Sequence, residues 1–135
     1  MVHRCEIRVR FYELDPYNHL NHSVYIQYFE VGRIELLEKI GFGLDVLADR
    51  GVRLVITEIQ TRFLKSVGPG DFISIETQIS EMRRAISVWN QQMIRGDEIV
   101  AHQEVTFAAT DPDGKPVRFP EDLVIALTSP IKSEF

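Results

Sequence analysis

A chain of 135 residues suits one domain, and a hydrophobic content of 44% is enough for a core. The net charge of -5, with no basic run, argues against nucleic acid or an anionic membrane as the main partner, and no apolar run approaches the ~20 residues that span a bilayer. The single cysteine, Cys5, rules out an intrachain disulfide and a cysteine-based zinc site, so a reducing cytoplasm is the expected compartment.

Residues 1 to 10 carry Arg4, Glu6, Arg8 and Arg10, which is not the pattern of a secretory leader. Residues 4 to 11 alternate these charges with Cys5, Ile7, Val9 and Phe11, as a half-buried strand does. Residues 12 to 22 form a loop punctuated by Asp15-Pro16 and Asn18. Helix signals start at Ser23, the expected cap, and run to Ile40, where Gly41 and Gly43 stop them. Val24, Tyr25, Ile26, Tyr28, Phe29, Val31, Ile34, Leu36, Leu37 and Ile40 leave no clean polar arc, so this helix is expected to be buried on most sides. Glu30 and Arg33 are three apart and are expected to form a semi-buried ion pair.

A second, shorter helix is expected over residues 44 to 50. From Arg53 the period changes to two. Strands are predicted over Arg53 to Phe63, Phe72 to Met82, Ala85 to Arg95 and Ile99 to Thr110. They are separated by Pro69-Gly70-Asp71, Arg83-Arg84 and Gly96-Asp97-Glu98. Asp111-Pro112-Asp113-Gly114 is a turn. A short amphipathic helix from Pro120 to Leu127 and a fraying tail from Thr128 to Phe135 complete the chain. Short connections between the last four strands predict an antiparallel meander. The fold class is therefore α+β, with one long helix laid across a curved antiparallel sheet of about five strands.

The loop carries the chemistry. One acid, Asp15, is followed by His19, Asn21 and His22 just before a helix N-terminus. Unpaired N–H groups and the helix dipole favour developing negative charge there. An acid beside such donors is what hydrolysis of an ester or thioester needs. Other chemistries fit less well. His19 and His22 lack a defined third metal ligand, the Gly-x-Ser-x-Gly elbow of a serine hydrolase is absent, and Cys5 sits in a strand with no base placed beside it. No cofactor or metal is expected.

Residues Asp15-Pro16-Tyr17-Asn18-His19-Leu20-Asn21-His22-Ser23-Val24-Tyr25-Ile26, with this order of elements, resemble the hotdog-fold thioesterases. The similarity is greatest to the 4-hydroxybenzoyl-CoA thioesterase family and its short bacterial acyl-CoA thioesterases, and it covers nearly the whole chain as a single domain, residues 1 to 135. The resemblance implies that Asp15 is catalytic, as nucleophile or as general base towards water. It also implies that a backbone N–H at the start of the long helix, of His22 or Ser23, polarises the thioester carbonyl. His19 is expected to orient Asp15 or line the pocket, and Asn21 to brace the loop within the substrate site. Arg62, Lys65 and Ser66 are expected to meet the phosphates or pantetheine of CoA, with Arg83-Arg84 as a second candidate for nucleotide contact. Some hotdog thioesterases use a glutamate of the central helix instead, which makes Glu30 an alternative acid. The implied substrate is an acyl-CoA, aromatic or medium-chain aliphatic, or an acyl-carrier protein. The implied assembly is a homodimer or homotetramer, with sheets joined edge to edge and sites at the subunit interface. Two rival readings are a hotdog hydratase or dehydratase that leaves the thioester intact, and a non-catalytic acyl-thioester binding module.

Overall fold

The computed structural model describes residues 2–129. In chain order the elements are β1 (Val2–Arg8), α1 (His22–Lys39), α2 (Leu44–Asp49), β2 (Arg53–Phe63), β3 (Phe72–Met82), β4 (Ile86–Arg95), β5 (Glu98–Thr110) and α3 (Glu121–Thr128). The period-two segments all form strands, and α1 covers the long apolar segment as expected. All five strands lie in one antiparallel sheet.

The strand order is β1-β3-β4-β5-β2, which corrects the expected four-strand meander. Only β3, β4 and β5 follow one another. β2 crosses the molecule and pairs with β5, with Phe63 opposite Ala101 and Arg53 opposite Thr110. The connection after β2 is anchored at Val67, which is fully buried and whose carbonyl accepts from the Leu20 N–H at 2.7 Å, while Leu64, Lys65, Ser66 and Pro69 around it are exposed. Both β1 and β2 are edge strands.

Helix α1 packs across β1 and β3. Its buried residues are Val24, Tyr25, Tyr28, Phe29, Gly32, Arg33, Leu36 and Leu37. These recur at three- and four-residue spacing and form one stripe. Gln27, Glu30, Val31, Glu35 and Glu38 face outward. The helix is thus buried on one side of the chain rather than on most sides. Gly32 permits a close approach, since a Cβ there would lie 2.6 Å from Ile75 Cγ2.

Two apolar clusters share the helix. Its first half packs Tyr25, Tyr28 and Phe29 against Cys5, Ile7, Ile73, Ile75 and Met93. Its second half packs Leu36 and Leu37 against Leu47, Trp89, Phe107 and Leu123. Each such fully buried side chain stabilises by roughly 1.5–3 kcal/mol.

Arg33 lies on the same buried stripe, and the expected Glu30–Arg33 ion pair is not formed. Arg33 Nη1 instead donates to Gln91 Oε1 at 2.8 Å and Gln103 Oε1 at 2.5 Å, while Glu30 lies exposed. Gln91 Nε2 in turn donates to the Phe29 carbonyl and to Thr77 Oγ1, and Gln103 Nε2 donates to Thr61 Oγ1. Burial lowers the Arg33 pKa to about 10. Two amide oxygens from β4 and β5 thus satisfy a guanidinium that spacing alone had assigned to a carboxylate.

Three boundaries also differ from expectation. β1 ends at Arg8, so Phe11 is 84% exposed in a short 3-10 turn rather than buried in the strand. Thr128 closes α3, and the rest of the expected tail lies outside the described residues beyond Ser129. The cap of α1 is Asn21 rather than Ser23. Among the described residues no helix is long and apolar enough to cross a membrane.

Candidate active site

The loop from Leu14 to Leu20 is closed by its own backbone. The Asp15 N–H donates to the His19 carbonyl at 2.7 Å, and the Asn18 N–H donates to the Asp15 carbonyl at 3.0 Å. Asn18 takes φ 63 at the tip, a left-handed conformation that asparagine tolerates better than most residues. Inside this turn Asp15 Oδ1 accepts from the N–H groups of Tyr17 at 2.9 Å and His19 at 3.0 Å. Oδ2 has no hydrogen-bond partner among the described residues. One carboxylate oxygen is therefore fixed by the loop, and the other is open for chemistry.

His19 orients Asp15 through its backbone N–H and not through its imidazole, which is exposed. Asn21 caps the helix. Its Oδ1 accepts from the Ser23 N–H at 3.0 Å and from the Ser23 hydroxyl at 2.9 Å. Asn21 Oδ1 and the Ser23 N–H are thus engaged with each other, so Asn21 braces the start of the helix through its side chain, and the Ser23 N–H has a partner. The His22 N–H, at the first helical position, has no partner among the described residues. It is the free donor where the positive end of the helix dipole lies.

A half-buried acid that the sequence did not mark holds the loop to the helix. Glu13 accepts the Tyr28 hydroxyl proton in a short hydrogen bond and accepts from the Arg10 N–H at 2.8 Å. Its carbonyl takes the Asn21 N–H at 2.9 Å. Burial and the neighbouring Glu13 push the Tyr28 pKa up, so the phenol stays a donor. Fifteen residues separate Glu13 from Tyr28 across a loop and a helix turn, and no periodicity connects them.

A cleft of about 320 Å³ opens beside this turn, lined by Asp15, His19, Leu20, His22, Tyr25 and residues 63 to 66. Phe63 forms its apolar wall. The ring meets Tyr25 edge-on at 5.2 Å and His22 at 6.5 Å between centroids. The Tyr25 hydroxyl donates to the Lys65 carbonyl at 2.9 Å and ties the strand end to the helix. Phe63 is nonetheless 47% exposed, because β2 is an edge strand. Phe29 and Trp89, two other aromatics available to a pocket, are core residues instead.

The expected CoA contacts divide. Ser66 and Lys65 line the cleft, although the Lys65 ammonium is held by Glu98 at 2.7 Å. Arg62 does not line it. Thr61 and Phe63 face the core side, so the intervening Arg62 points to the opposite face, in register with His102. Glu30 lies on the exposed side of α1, away from the lining of the cleft. Cys5 is buried under α1, and burial pushes its thiol up to about 11, which leaves little thiolate at neutral pH. Among the described residues no three His, Cys, Asp or Glu side chains are grouped to hold a metal.

The sequence model of the Thioesterase-like superfamily matches residues 9–127. The acyl-acyl carrier protein thioesterase ATL3 of Arabidopsis thaliana is 40% identical over 78 residues, covering 58% of this chain and 41% of the plant protein. The chain thus spans less than half the length of that relative. The acyl-CoA thioesterase YbgC of Haemophilus influenzae is 25% identical over 122 residues, covering 89% of this chain and 90% of that one. The crystal structure of a probable thioesterase from Bartonella henselae superimposes with a TM-score of 0.84 at 26% identity, covering 89% of this chain and all of that one.

Proposed function

Because the chain belongs to the thioesterase-like superfamily, we propose that it is an enzyme that hydrolyses acyl thioesters, with an acyl-CoA as the leading substrate and an acyl-carrier protein as the alternative. The names of the relatives supply the substrate class. The observation that carries the mechanism is the pairing of an Asp15 carboxylate with one oxygen unengaged and an unpartnered His22 N–H in the lining of one cleft.

In the proposed reaction a water gives its proton to Asp15 Oδ2 and attacks the thioester carbon. The carbonyl oxygen gains the charge and is held by the His22 N–H, a type of contact worth roughly 3–4 kcal/mol in the transition state. The C–S bond then breaks, the thiolate takes the proton from Asp15, and the free acid leaves. Direct attack by the carboxylate, followed by hydrolysis of the resulting anhydride, uses the same two groups. The chain works in this reading as a cytoplasmic enzyme without a cofactor.

The proposed assembly is a dimer, or a pair of dimers, joined along β2. That strand is eleven residues long, lies at the sheet edge and exposes Val55, Ile56, Ile59 and Phe63. A long apolar edge of this kind invites pairing with a second chain. Pairing there would also cover the open Phe63 wall of the cleft.

The test is thiol release from a panel of aromatic and aliphatic acyl-CoA esters by the wild type and by Asp15→Asn. An asparagine keeps one oxygen to accept from Tyr17 and His19, so the turn survives. Turnover is expected to fall at least ~100-fold. Wild-type turnover in a folded Asp15→Asn protein refutes the mechanism, and absence of thiol release from every ester by the wild type refutes the activity.

A further inference from the structure

The proposed chemistry uses two groups on different parts of the chain. The Asp15 carboxylate belongs to a surface turn, and the His22 N–H belongs to the first turn of α1. Both must keep their places around one carbonyl. The exit of the turn is secured by backbone, since the Leu20 N–H donates to the Val67 carbonyl at 2.7 Å and Leu20 itself is buried. The entrance, residues 11 to 14, is held differently. Phe11 and Tyr12 lie exposed on a short 3-10 turn, and Leu14 alone packs on the first core cluster. Among the described residues Glu13 is the one member of this arm whose side chain makes hydrogen bonds.

The Glu13 side chain joins several parts of the loop. Its Oε1 accepts the Tyr28 hydroxyl proton and the Arg10 N–H, and its Oε2 lies 3.7 Å from Arg10 Nη1. Its carbonyl accepts the Asn21 N–H at 2.9 Å and so ties the entrance of the turn to the helix cap. The phenol link reaches further. Tyr28 is 2% exposed and belongs to the first core cluster. It lies six residues after His22, roughly 9 Å along the same helix. A carboxylate two residues before Asp15 is therefore bonded to the element that carries the His22 donor.

We propose that Glu13 and Tyr28 are positioning residues for thioester hydrolysis, whose hydrogen bond sets the distance between Asp15 Oδ2 and the His22 N–H. The inference rests on the thioesterase reading. Neither side chain lines the cleft, so neither touches the substrate. Their effect falls on kcat rather than on KM, because the ester enters the cleft whether or not Oδ2 is aimed at the attacking water. A displacement of about 1 Å at a reacting group costs on the order of 100-fold in rate. Stability responds differently. Removing the carboxylate alone leaves a buried phenol without an acceptor, whereas removing both partners leaves nothing unpaired and is close to neutral. A merely structural pair would recover turnover together with stability when both partners are removed. A positioning pair would recover stability only, because the arm is still untied.

The experiment uses the full-length protein with Glu13→Ala, Tyr28→Phe, the two combined, and Glu13→Gln. Thiol release from the acyl-CoA ester that the wild type turns over fastest gives kcat and KM, and circular dichroism gives Tm. In the first three variants kcat should fall roughly 10–100-fold with KM within about threefold of wild type. The combined variant should match Glu13→Ala in kcat, since both changes break one bond, while its Tm rises above that of Glu13→Ala. Glu13→Gln keeps an oxygen for the phenol proton and should restore kcat to within about threefold of wild type. A readout without substrate accompanies these. The amide resonances of Tyr17, His19 and His22 should shift in Tyr28→Phe, although Tyr28 bonds to none of them. Normal kcat in a folded Tyr28→Phe overturns the proposal, and so do kcat losses that add in the combined variant, or kcat that recovers there with Tm. If the wild type releases no thiol from any ester, the thioesterase reading fails. Shifted resonances then leave the alignment of the turn with the helix standing, and unmoved resonances refute that alignment as well.

Discussion

Replacing Gly32 with alanine sets helix propensity against packing, and the two predict opposite signs. In an exposed helix interior the change from Gly to Ala stabilises by up to ~1 kcal/mol. Here the new Cβ would lie 2.6 Å from Ile75 Cγ2, 3.1 Å from Gln91 Nε2 and 3.2 Å from Thr77 Oγ1. Carbon atoms rest at ~3.5–4.0 Å, so α1 must lift from β3 by about 1 Å. Ile75 cannot turn aside, since it is fully buried and β-branched. Lifting also stretches the Gln91 bonds to Phe29 and Thr77 that hold the network under Arg33. Overpacking of this kind costs ~1–3 kcal/mol, which outweighs the propensity gain. A net loss of about 1–2 kcal/mol is expected, or a Tm lower by roughly 4–8 °C for a domain of this size. Thermal unfolding followed by circular dichroism reads it directly. A Tm equal to or above wild type would mean that α1 does not sit this close to β3, and the placement of both clusters beneath it would fail with it.

Two further outcomes test the site and its scaffold. His22→Ala should keep activity within roughly tenfold, because the N–H remains, whereas His22→Pro should lose ~10²–10³-fold while still folding, since proline suits the first helical position. Steady-state thiol release with folding checked by circular dichroism separates these, and a dead His22→Ala would transfer the chemistry to the imidazole. His3 is 2% exposed beneath α1, 3.3 Å from Glu35 but without hydrogen-bond geometry to it. Burial depresses its pKa below the usual 6.5, with Glu35 opposing and Lys39 reinforcing the shift. The unfolded chain then binds the proton more readily than the folded one, so stability should fall as pH drops from 6.5 towards the folded value. Denaturant melts between pH 7 and pH 5 should show a shallower decline for His3→Gln than for wild type, and parallel declines would remove His3 as the cause.

Local pattern made the elements legible and left their neighbours hidden. Alternation from Arg53 to Thr110 marks four strands, but nothing in it says that β2 pairs with β5. That choice depends on contacts some fifty residues apart, whereas short connections suggest sequential pairing. The same alternation could have placed Arg62 correctly. If Thr61 and Phe63 face the core, Arg62 faces away. The Glu30–Arg33 pairing failed because three-residue spacing makes two side chains neighbours only when neither has a better partner. The buried stripe that holds Arg33 ends short of Glu30, and two glutamine amides were already waiting beneath it. At the candidate site the turn around Asp15 was legible from Asp-Pro and the approaching helix. The division of labour among Asn21, His22 and Ser23 was not, because asparagine and serine are both strong caps and only the geometry shows which one caps.

The reading of α1 as apolar nearly all round has a physical origin. The helix carries more apolar surface than its own chain covers: Val31 is 44% exposed, and Ile26 and Ile34 are only half-buried. β2 has the same surplus at Val55, Ile56, Ile59 and Phe63. A monomer of this size can tolerate scattered apolar residues, but an edge strand with four of them and unpaired backbone groups is a different matter. The excess supports the proposed dimer, in which a second copy would cover it. Phe63 links that excess to the chemistry, because one ring is both the end of the apolar edge and the wall of the Asp15 cleft. In the proposed dimer, closing the edge with a second copy and completing the cleft would be the same event. The proposed assembly and the proposed catalysis are two consequences of one strand.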